Sequence, residues 1–462
     1  MPHLILSLDS EDYETPAADD AELWWARALT RNGLTANVCL VGELARALRS
    51  RGRKDVLEAY AAHEIAYHSD LHSAHPTHAE YLEGLAWDTG VERLLREESR
   101  GVADVREVTG RQPTAYCKPG NSWGPQVAAA LPRLGCPVFC DAPLEWAPGQ
   151  PMWYSGSLCI RYHLSIDYYF SRPDGWLERI QSDLRRLLEA HGDGYVVLYT
   201  HPCRLYTAAF PDTFEAGKNP PRGHWRAAPL RPEAEREALK ADCEILLRWI
   251  AHDLRPQVST YRELWDACAP GPAPWFNRDA VRDLARRVAA VPTPLPRDGA
   301  WLSPAEQWSV LVGAVALGEV HLTWPKQVCA RRLLGPVELP PAAPEPFEVP
   351  IGLLMAAARQ ALGLSEQTGR MPARTVLGGV EVGPNTLLQA CTRAIPRHFR
   401  ARWPERIPVL PADEIPALAH REDFARLRFQ NSWSVFPPDF RGERLLELAR
   451  LQAWTAKPAT RA

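Results

Sequence analysis

The first part of the chain alternates short apolar runs with amphipathic stretches. The run Tyr195–Thr200 is continuous and rich in aromatic and β-branched residues, which predicts a buried strand. The stretches Asp19–Arg31, Gly175–Ala190 and Arg231–Ile250 carry apolar residues at helical spacing, which predicts three helices. Because strands and helices alternate, we expect a parallel, barrel-like α/β domain.

A proline-rich segment ends this alternation. Residues 269–277 contain Ala-Pro-Gly-Pro-Ala-Pro, a composition typical of a linker. We therefore expect a barrel-like domain over residues 1–268, then the linker, and a smaller, mostly helical region over residues 278–462. In that last region Trp301–Glu306 and Glu381–Thr386 each open an apolar helix, which indicates a weak internal repeat.

Composition excludes several classes of protein. The net charge of −3 gives no basic field, which argues against nucleic-acid binding. The ten cysteines form no Cys-x-x-Cys pair, which favours reduced, buried thiols over a disulfide framework. No apolar run reaches the length of a membrane span, and no signal peptide precedes the first apolar run. We expect a cytoplasmic protein, with non-classical export or a misassigned start as alternatives.

An acidic segment and three histidines carry the candidate chemistry. Asp9–Asp12 ends the first apolar run, and His68 and His72 lie four residues apart, on one face if their segment is helical. Imidazole and carboxylate groups are ligands of zinc and similar metals, and a catalytic metal site keeps one position open for water. His201 follows the Tyr195–Thr200 run, which predicts a place at one mouth of a parallel sheet.

These motifs occur in the order found in a known family. The chain resembles the NodB-type polysaccharide deacetylases, carbohydrate esterases of family 4 that remove acetyl groups from N-acetylated sugars. The resemblance covers roughly residues 1–268, and the shared order makes it stronger than any one motif. It implies a deformed (β/α)7 barrel with the active site at the carboxyl ends of the strands. The matching segments are Leu4–Asp9, Thr35–Glu43, Glu64–Tyr67, Gly110–Gly120, Val197–Pro202 and Val258–Leu264.

The resemblance also implies a role for each candidate residue. Asp9 would be the catalytic base and His201 the general acid, while His68 and His72 would bind a divalent metal, for which zinc is favoured.

Either Glu11 or Asp12 would complete the metal site. We favour Asp12 slightly, because a chain that turns off a strand end can bring its third residue back beside the first.

Two motifs depart from the family pattern. The family orients its base with an arginine in the third motif, where this chain offers Lys118, a point charge without the bidentate fork of arginine. The alternative is that Lys118 is an exposed loop cation. The fourth motif corresponds to Glu145-Trp146 or to Asp141. Trp146 is then a wall of the acetyl pocket or a plain core residue.

Two further histidines, His75 and His78, follow the pair closely. The family uses only the first pair, so we expect both to be loop residues without a metal.

The second copy of the internal repeat, residues 356–388, resembles a pseudomurein-binding repeat. This resemblance implies that the C-terminal region binds a cell-wall polymer. A helical packing or dimerisation domain explains the same pattern about as well.

The sequence thus leads to one principal functional prediction and two alternatives. The principal prediction is a metal-dependent hydrolase that removes acetyl groups from an N-acetylated sugar or glycan, cleaving a carbon–nitrogen bond that is not a peptide bond. The first alternative is an amidase that acts on a small non-sugar substrate. The second is a catalytically inactive glycan-binding protein.

Overall fold

The structure is a computed structural model. It describes residues 3–171, 175–212, 221–321, 325–395, 403–425, 427, 429, 436, 437 and 439–460. The chain divides into two compact units. Unit 1 comprises Met1–Pro151, Ser157–Ala269 and Arg428–Gly442, and unit 2 comprises Met152–Gly156, Pro270–Leu427 and Glu443–Ala462. Apart from residues 152–156 and 428–442, the chain thus divides after Ala269.

Unit 1 is built on a parallel β-sheet. Its first five strands are β1 (His3–Ser10), β2 (Asn37–Leu40), β3 (Glu64–Tyr67), β4 (Ala115–Cys117) and β5 (Val138–Cys140), and four more cover Ser157–Cys159, Leu164–Ser165, Tyr195–Thr200 and Gln257–Val258. The strands run side by side in the order Ser157–Cys159, β5, β4, β3, β2, β1, Tyr195–Thr200 and Leu164–Ser165. Gln257–Val258 pairs with β1, in parallel like the other pairs.

The sheet of unit 1 is curled, because side chains from separated strands meet at one point. Ser7 of β1, Cys39 of β2 and Cys117 of β4 all contact the hydroxyl group of Tyr162, at 2.8, 3.7 and 3.2 Å. A flat sheet would hold β2 and β4 two strand spacings apart, or about 10 Å. The mixed α/β class is therefore as predicted, and the curled parallel sheet is consistent with a deformed barrel.

Helices connect the strands of unit 1. Three acidic residues in the first turn of Asp19–Arg31 favour its start through the helix dipole. Thr260 and Glu263 form a capping box at the start of the last helix. The three helices predicted from the sequence lie within two residues of their expected bounds. The α-helices of unit 1 are Asp19–Arg31, Gly42–Ser50, Lys54–Tyr60, His78–Glu83, Trp87–Thr109, Pro125–Ala130, Trp176–His191, Glu233–Trp249 and Tyr261–Cys268.

Unit 2 combines helices with short antiparallel strand pairs, so "mostly helical" describes it only in part. Its helices are Arg278–Arg287, Pro304–His321, Ile351–Thr368, Pro384–Ala394, Glu422–Ala425 and Glu443–Gln452. Its strands pair as Trp275–Asn277 with Gln327–Cys329, Leu295–Arg297 with Ala300–Leu302, Phe347–Pro350 with Arg406–Val409, Thr375–Leu377 with Val380–Val382, and Met152–Tyr154 with Lys457–Pro458.

The order of elements in unit 2 repeats once. Each copy runs strand, helix, two-stranded hairpin, helix, strand, and its first strand pairs with its last. A single apolar core that includes Trp308, Leu354 and Leu388 lies between the helices of both copies. Binding of a cell-wall polymer by this region stays a prediction, as does the cytoplasmic location. In the described part of the chain, no helix is both long and apolar enough to span a bilayer.

Candidate active site

A cavity of about 210 Å³ lies in unit 1, where the carboxyl ends of its strands meet. It collects seven of the residues singled out in the sequence: Asp9, Glu11, His68, His72, Lys118, Asp141 and His201. The remaining lining residues are Gly120, Asn121, Tyr162, Tyr168, Tyr199 and Phe210. Asp9 lies in β1, and the other residues of the first set follow β1, β3, β4, β5 or the strand Tyr195–Thr200.

Glu11, His68 and His72 form a buried group of potential metal ligands. One carboxylate oxygen of Glu11, Oε2, lies 2.9 Å from Nε2 of His72 and 3.4 Å from Nε2 of His68. Their ligand atoms lie within 4.8 Å of one another. Two imidazoles and one carboxylate are a donor set that suits zinc and related metals.

The second nitrogen of each imidazole has a partner of its own. Nδ1 of His68 donates to the backbone carbonyl of Cys117 at 3.0 Å. Nδ1 of His72 donates to Oγ of Ser73 at 3.1 Å, and this hydroxyl donates to Asp212. Such outer hydrogen bonds orient the ring of a metal-binding histidine, so both Nε2 atoms face Glu11.

The histidine pair is on a loop rather than on a helix, which corrects the conditional expectation. Ser69 and His72 have φ values of 63° and 53°, in the left-handed region that a right-handed helix does not use. Asp70 fixes this loop through two hydrogen bonds. Its backbone N–H donates to Oε2 of Glu98 at 2.9 Å, and its own carboxylate accepts from Arg46 at 2.7 Å.

His78 takes part in the same support, which corrects its interpretation as a loop residue. It is the first residue of the helix His78–Glu83 and is buried. Its Nε2 lies 2.7 Å from Oε1 of Glu98, and the hydroxyl of Tyr67 donates to the other oxygen of Glu98 at 2.5 Å. His78 thus belongs to a buried network behind the loop.

Asp12, the favoured third ligand in the sequence, has a different environment. Its Oδ1 accepts hydrogen bonds from the backbone N–H groups of Glu14 and Thr15, at 3.1 and 2.9 Å. Burial raises its pKa to about 7. Within the described residues it belongs to neither group of potential metal ligands, so the geometry places Glu11, and not Asp12, with the histidines.

Asp9 is oriented by a tyrosine that the sequence analysis did not identify. The hydroxyl of Tyr162 donates to Oδ1 of Asp9 at 2.8 Å, and Oγ of Ser7 lies 2.8 Å from the same hydroxyl. Burial, the largest effect, raises the pKa of Asp9 to about 7, although His68 and His201 act against it. No motif marks Tyr162, because it lies in irregular chain before a strand of only two residues.

Lys118, expected to orient Asp9 or to be exposed, does neither. It is buried, and its ammonium group pairs with Asp141 and with the carbonyl of Gly120. The side chain of Cys117, one residue earlier, lies 3.9 Å from both carboxylate oxygens of Asp9. Lys118 therefore lines the cavity as one partner of an ion pair with Asp141.

His201 is held by a second residue that the sequence analysis missed. Its Nδ1 lies 3.2 Å from both carboxylate oxygens of Asp167, and its Nε2 lies 4.0 Å from Oδ2 of Asp9. Burial alone would lower the pKa of His201, but the carboxylates of Asp167, Glu11 and Asp9 together raise it to about 10. The sequence did offer a signal for Asp167. It is an acid just after the short strand Leu164–Ser165, as Glu11 and Asp12 are acids just after β1.

Trp146 is not part of this cavity in the described part of the chain. It is half-buried, and its backbone N–H donates to the carbonyl of Gln150 at 3.3 Å. Its neighbour Glu145 lies 3.5 Å from Nε2 of His163 and accepts from the backbone N–H of Gly149. The predicted substrate-binding role of Trp146 therefore has no support from its position.

Fold and site together define a class: a curled parallel α/β sheet with a two-histidine, one-carboxylate ligand set beside a carboxyl–histidine pair. No family model matches the sequence, and no curated protein matches it significantly.

Solved structures that match part of the chain include a family 4 carbohydrate esterase from Streptomyces lividans, the peptidoglycan deacetylase PdaC from Bacillus subtilis, and BA3943, a CE4 family pseudoenzyme from Bacillus anthracis. Their sequence identities to this chain are 17%, 10% and 13%, with TM-scores of 0.28, 0.30 and 0.32. The matches cover 44%, 57% and 57% of this chain and 79%, 90% and 64% of theirs, which is less than two thirds of BA3943. Identities and TM-scores this low do not define a function for this chain.

Proposed function

We propose that unit 1 is a metal-dependent hydrolase that removes acetyl groups from an N-acetylated sugar or glycan. One observation carries the proposal: Nε2 of His68 and of His72 both lie within 3.4 Å of one carboxylate oxygen of Glu11, beside Asp9 and His201. The donor set fits zinc, because each imidazole presents one nitrogen to the site while the other is bonded outside it. Glu11, His68 and His72 would hold the metal.

The reaction needs a nucleophilic water, a stabilised oxyanion and an acid for the departing nitrogen. A divalent metal at this site would supply a water of lowered pKa and polarise the acetyl carbonyl. Asp9 accepts the proton of the attacking water at Oδ2, while the Tyr162 hydroxyl holds Oδ1. His201 donates the proton of its Nε2 to the nitrogen, and Asp167 at Nδ1 keeps the ring charged and oriented.

The wall of the cavity favours one sugar residue with its acetamido group. Tyr199 and Phe210 provide apolar surface for a methyl group, and Tyr168 leaves 56% of its surface exposed at the edge, where a sugar ring can stack. The volume of about 210 Å³ is below the usual range for sites that enclose a whole ligand of drug size, about 300 Å³ or more. The same small volume favours a small amide as the second candidate substrate.

Acetate release tests the proposal. The full chain, loaded with zinc, is incubated with N-acetylated chito-oligosaccharides, peptidoglycan fragments and small amides. We expect acetate from an N-acetylated sugar, and a fall of about 100-fold or more in rate for Asp9→Asn and His201→Asn. His75→Asn is the matched control, because His75 lies near the pair in sequence but bonds Glu80 at 2.7 Å. Full activity in both site variants would overturn the proposal, and turnover of the small amides alone would favour the second candidate.

A further inference from the structure

A second group of potential metal ligands shares His68 with the proposed metal site and includes Cys117, which the proposed reaction does not use. Asp9, His68 and Cys117 are all buried, and each offers a ligand atom within 4.8 Å of the others. They come from β1, the end of β3 and β4, and β2 lies between β1 and β3 in the sheet. A carboxylate, an imidazole and a thiolate together are ligands of zinc and of other thiophilic metals.

The spacing of this group suits one ion. Zinc binds sulfur at about 2.3 Å and oxygen or nitrogen at about 2.0–2.2 Å, so ligand atoms around a tetrahedral ion lie about 3.5 Å apart. The sulfur of Cys117 lies 3.9 Å from both carboxylate oxygens of Asp9. An ion can therefore enter with shifts of a few tenths of an ångström in this pair.

We propose that Cys117, Asp9 and His68 form a second, inhibitory binding site for a thiophilic divalent cation such as zinc, cobalt or cadmium. Both ligand sets contain His68, so when two ions are bound, Glu11 and His72 hold one, Cys117 and Asp9 hold the other, and His68 binds only one of them. When the cation binds, the thiol of Cys117 loses its proton to solvent. The thiolate sulfur then forms a bond to the metal.

Occupation of the second set removes the base from the reaction. The lone pairs of Asp9 that would accept the proton of water then bind the cation instead. The result is inhibition by metal in excess of the amount that the first set needs. This consequence rests on the proposed function, whereas the existence of the second ligand set does not.

Cobalt(II) spectroscopy tests the ligand set without any substrate. The metal-free full chain is titrated with cobalt, and the near-ultraviolet charge-transfer absorption of a cobalt–thiolate bond is recorded. We expect this absorption in the wild-type protein and in His72→Ala, which lacks only the first set. We expect its loss in Cys117→Ser. Cys39→Ser is the matched control, because Cys39 is equally buried and contacts the same Tyr162 hydroxyl.

Three results would overturn the inference: no thiolate absorption in the wild-type protein, its persistence in Cys117→Ser, or its loss in Cys39→Ser. If Cys117→Ser does not fold, X-ray absorption of the zinc-loaded wild-type protein decides, because a thiolate ligand adds a sulfur atom at about 2.3 Å. Absence of that sulfur contradicts the proposal.

Inhibition is measured separately, as acetate release against zinc concentration. Each variant is compared with its own rate at one equivalent of metal. We expect excess zinc to inhibit the wild-type protein, and the inhibitory concentration to rise on the order of 10- to 100-fold in Cys117→Ser. An unchanged inhibitory concentration would contradict the inhibitory role. A protein that releases no acetate at any metal concentration would contradict the proposed function, while the cobalt spectrum still decides the ligand set.

Discussion

Two acids of the same short segment acquire opposite properties from their surroundings. Side chains two residues apart along a strand point to one face, which brings Asp9 and Glu11 to the cavity. Ser10 lies between them and points away, donating to Glu22 at 2.8 Å. The two-residue period, extended past the strand end, would have favoured Glu11 over Asp12 from the sequence alone.

The environments of these two acids separate their pKa values. Burial raises the pKa of Asp9 to about 7. Burial would also raise the pKa of Glu11, but His72, His201 and His68 hold it well below its usual range. Two acids with separated pKa values suit two roles, in which Glu11 stays an anionic ligand and Asp9 exchanges a proton.

The pH profile of kcat/KM should be bell-shaped. Asp9 must lose its proton to act as a base, so the rate rises as pH increases through about 7. His201 must keep its proton to act as an acid, so the rate falls as pH increases through about 10. Asp167→Asn removes a carboxylate that raises the pKa of His201 and should move the alkaline limb to lower pH. The control Asp183→Asn changes an aspartate outside the cavity, and an alkaline limb unmoved by Asp167→Asn would contradict this account.

Metal content separates the two candidate third ligands. Glu11→Gln removes a charged ligand from between the histidines, so we expect zinc affinity to fall on the order of 100-fold. Asp12→Asn keeps the oxygen that accepts from Glu14 and Thr15, so we expect it to retain zinc. Elemental analysis after dialysis against defined free zinc gives the answer, and the reverse pattern would restore Asp12 as the ligand.

Sequence reasoning found the residues whose chemistry is visible in their type and order, and missed those that act through others. Asp9, His68, His72 and His201 were identified, and the structure brings them to one cavity. Two of the partners that orient them, Tyr162 in irregular chain and the backbone carbonyl of Cys117, give no signal in the pattern of residue types.

At the scale of elements, the histidine loop depends on the helix Trp87–Thr109 behind it. Glu98 on this helix holds the backbone of Asp70, and Gly101 one turn later lies against the side chains of Asp70 and Tyr67. The sequence could not reveal this, since a glycine inside a helix ordinarily signals only weak helix propensity. Here the missing Cβ makes room for the loop.

Gly101→Ala should destabilise the protein, although glycine to alanine in a helix ordinarily stabilises it by about 1 kcal/mol. The new Cβ would overlap the Tyr67 hydroxyl and lie 2.7 Å from Oδ1 of Asp70. We expect a loss of about 1–3 kcal/mol in the free energy of unfolding, together with weaker zinc binding. Urea denaturation and zinc titration measure both. Gly84→Ala is the control, because no atom lies within 4 Å of its added Cβ, and a stabilised Gly101→Ala would contradict the account.

Regular elements followed from the sequence more closely than the loops did. The predicted helix Asp19–Arg31 has its predicted bounds, and the strand Tyr195–Thr200 coincides with its apolar run. The three-residue strands of unit 2, such as Thr375–Leu377, were missed because so short a run shows no measurable alternation. The internal repeat of unit 2 was visible in the sequence only at the proline-containing helix starts Trp301–Glu306 and Glu381–Thr386.

At the scale of the whole molecule, unit 1 contains every residue of the site, and it includes residues from far along the chain. Phe429 is buried in unit 1, with its ring 6.1 Å from that of Trp123. Its carbonyl accepts from the side chain of Asn121, which lines the cavity, at 3.0 Å. A separation of more than 300 residues between two partners leaves no pattern in the sequence from which their contact could be predicted.

Phe429→Ala should therefore affect unit 1. We expect a loss of about 3–5 kcal/mol in the free energy of unfolding, as for other buried aromatic side chains. Because the backbone at position 429 loses its ring contact with Trp123, the carbonyl that accepts from Asn121 should shift, and KM should rise more than kcat falls. Denaturant unfolding and steady-state kinetics measure the two effects. Phe436→Ala, at a less buried ring that packs against Phe429, is the control; equal losses in both variants would contradict a special role of Phe429.

The central claim is metal-dependent deacetylation at the Glu11, His68 and His72 site. Its most direct test is acetate release from an N-acetylated chito-oligosaccharide by the full chain, before chelation, after chelation and after return of one equivalent of zinc. The account predicts release that chelation abolishes and zinc restores. Release that is indifferent to chelation, or no release from any N-acetylated sugar with zinc bound, would contradict it.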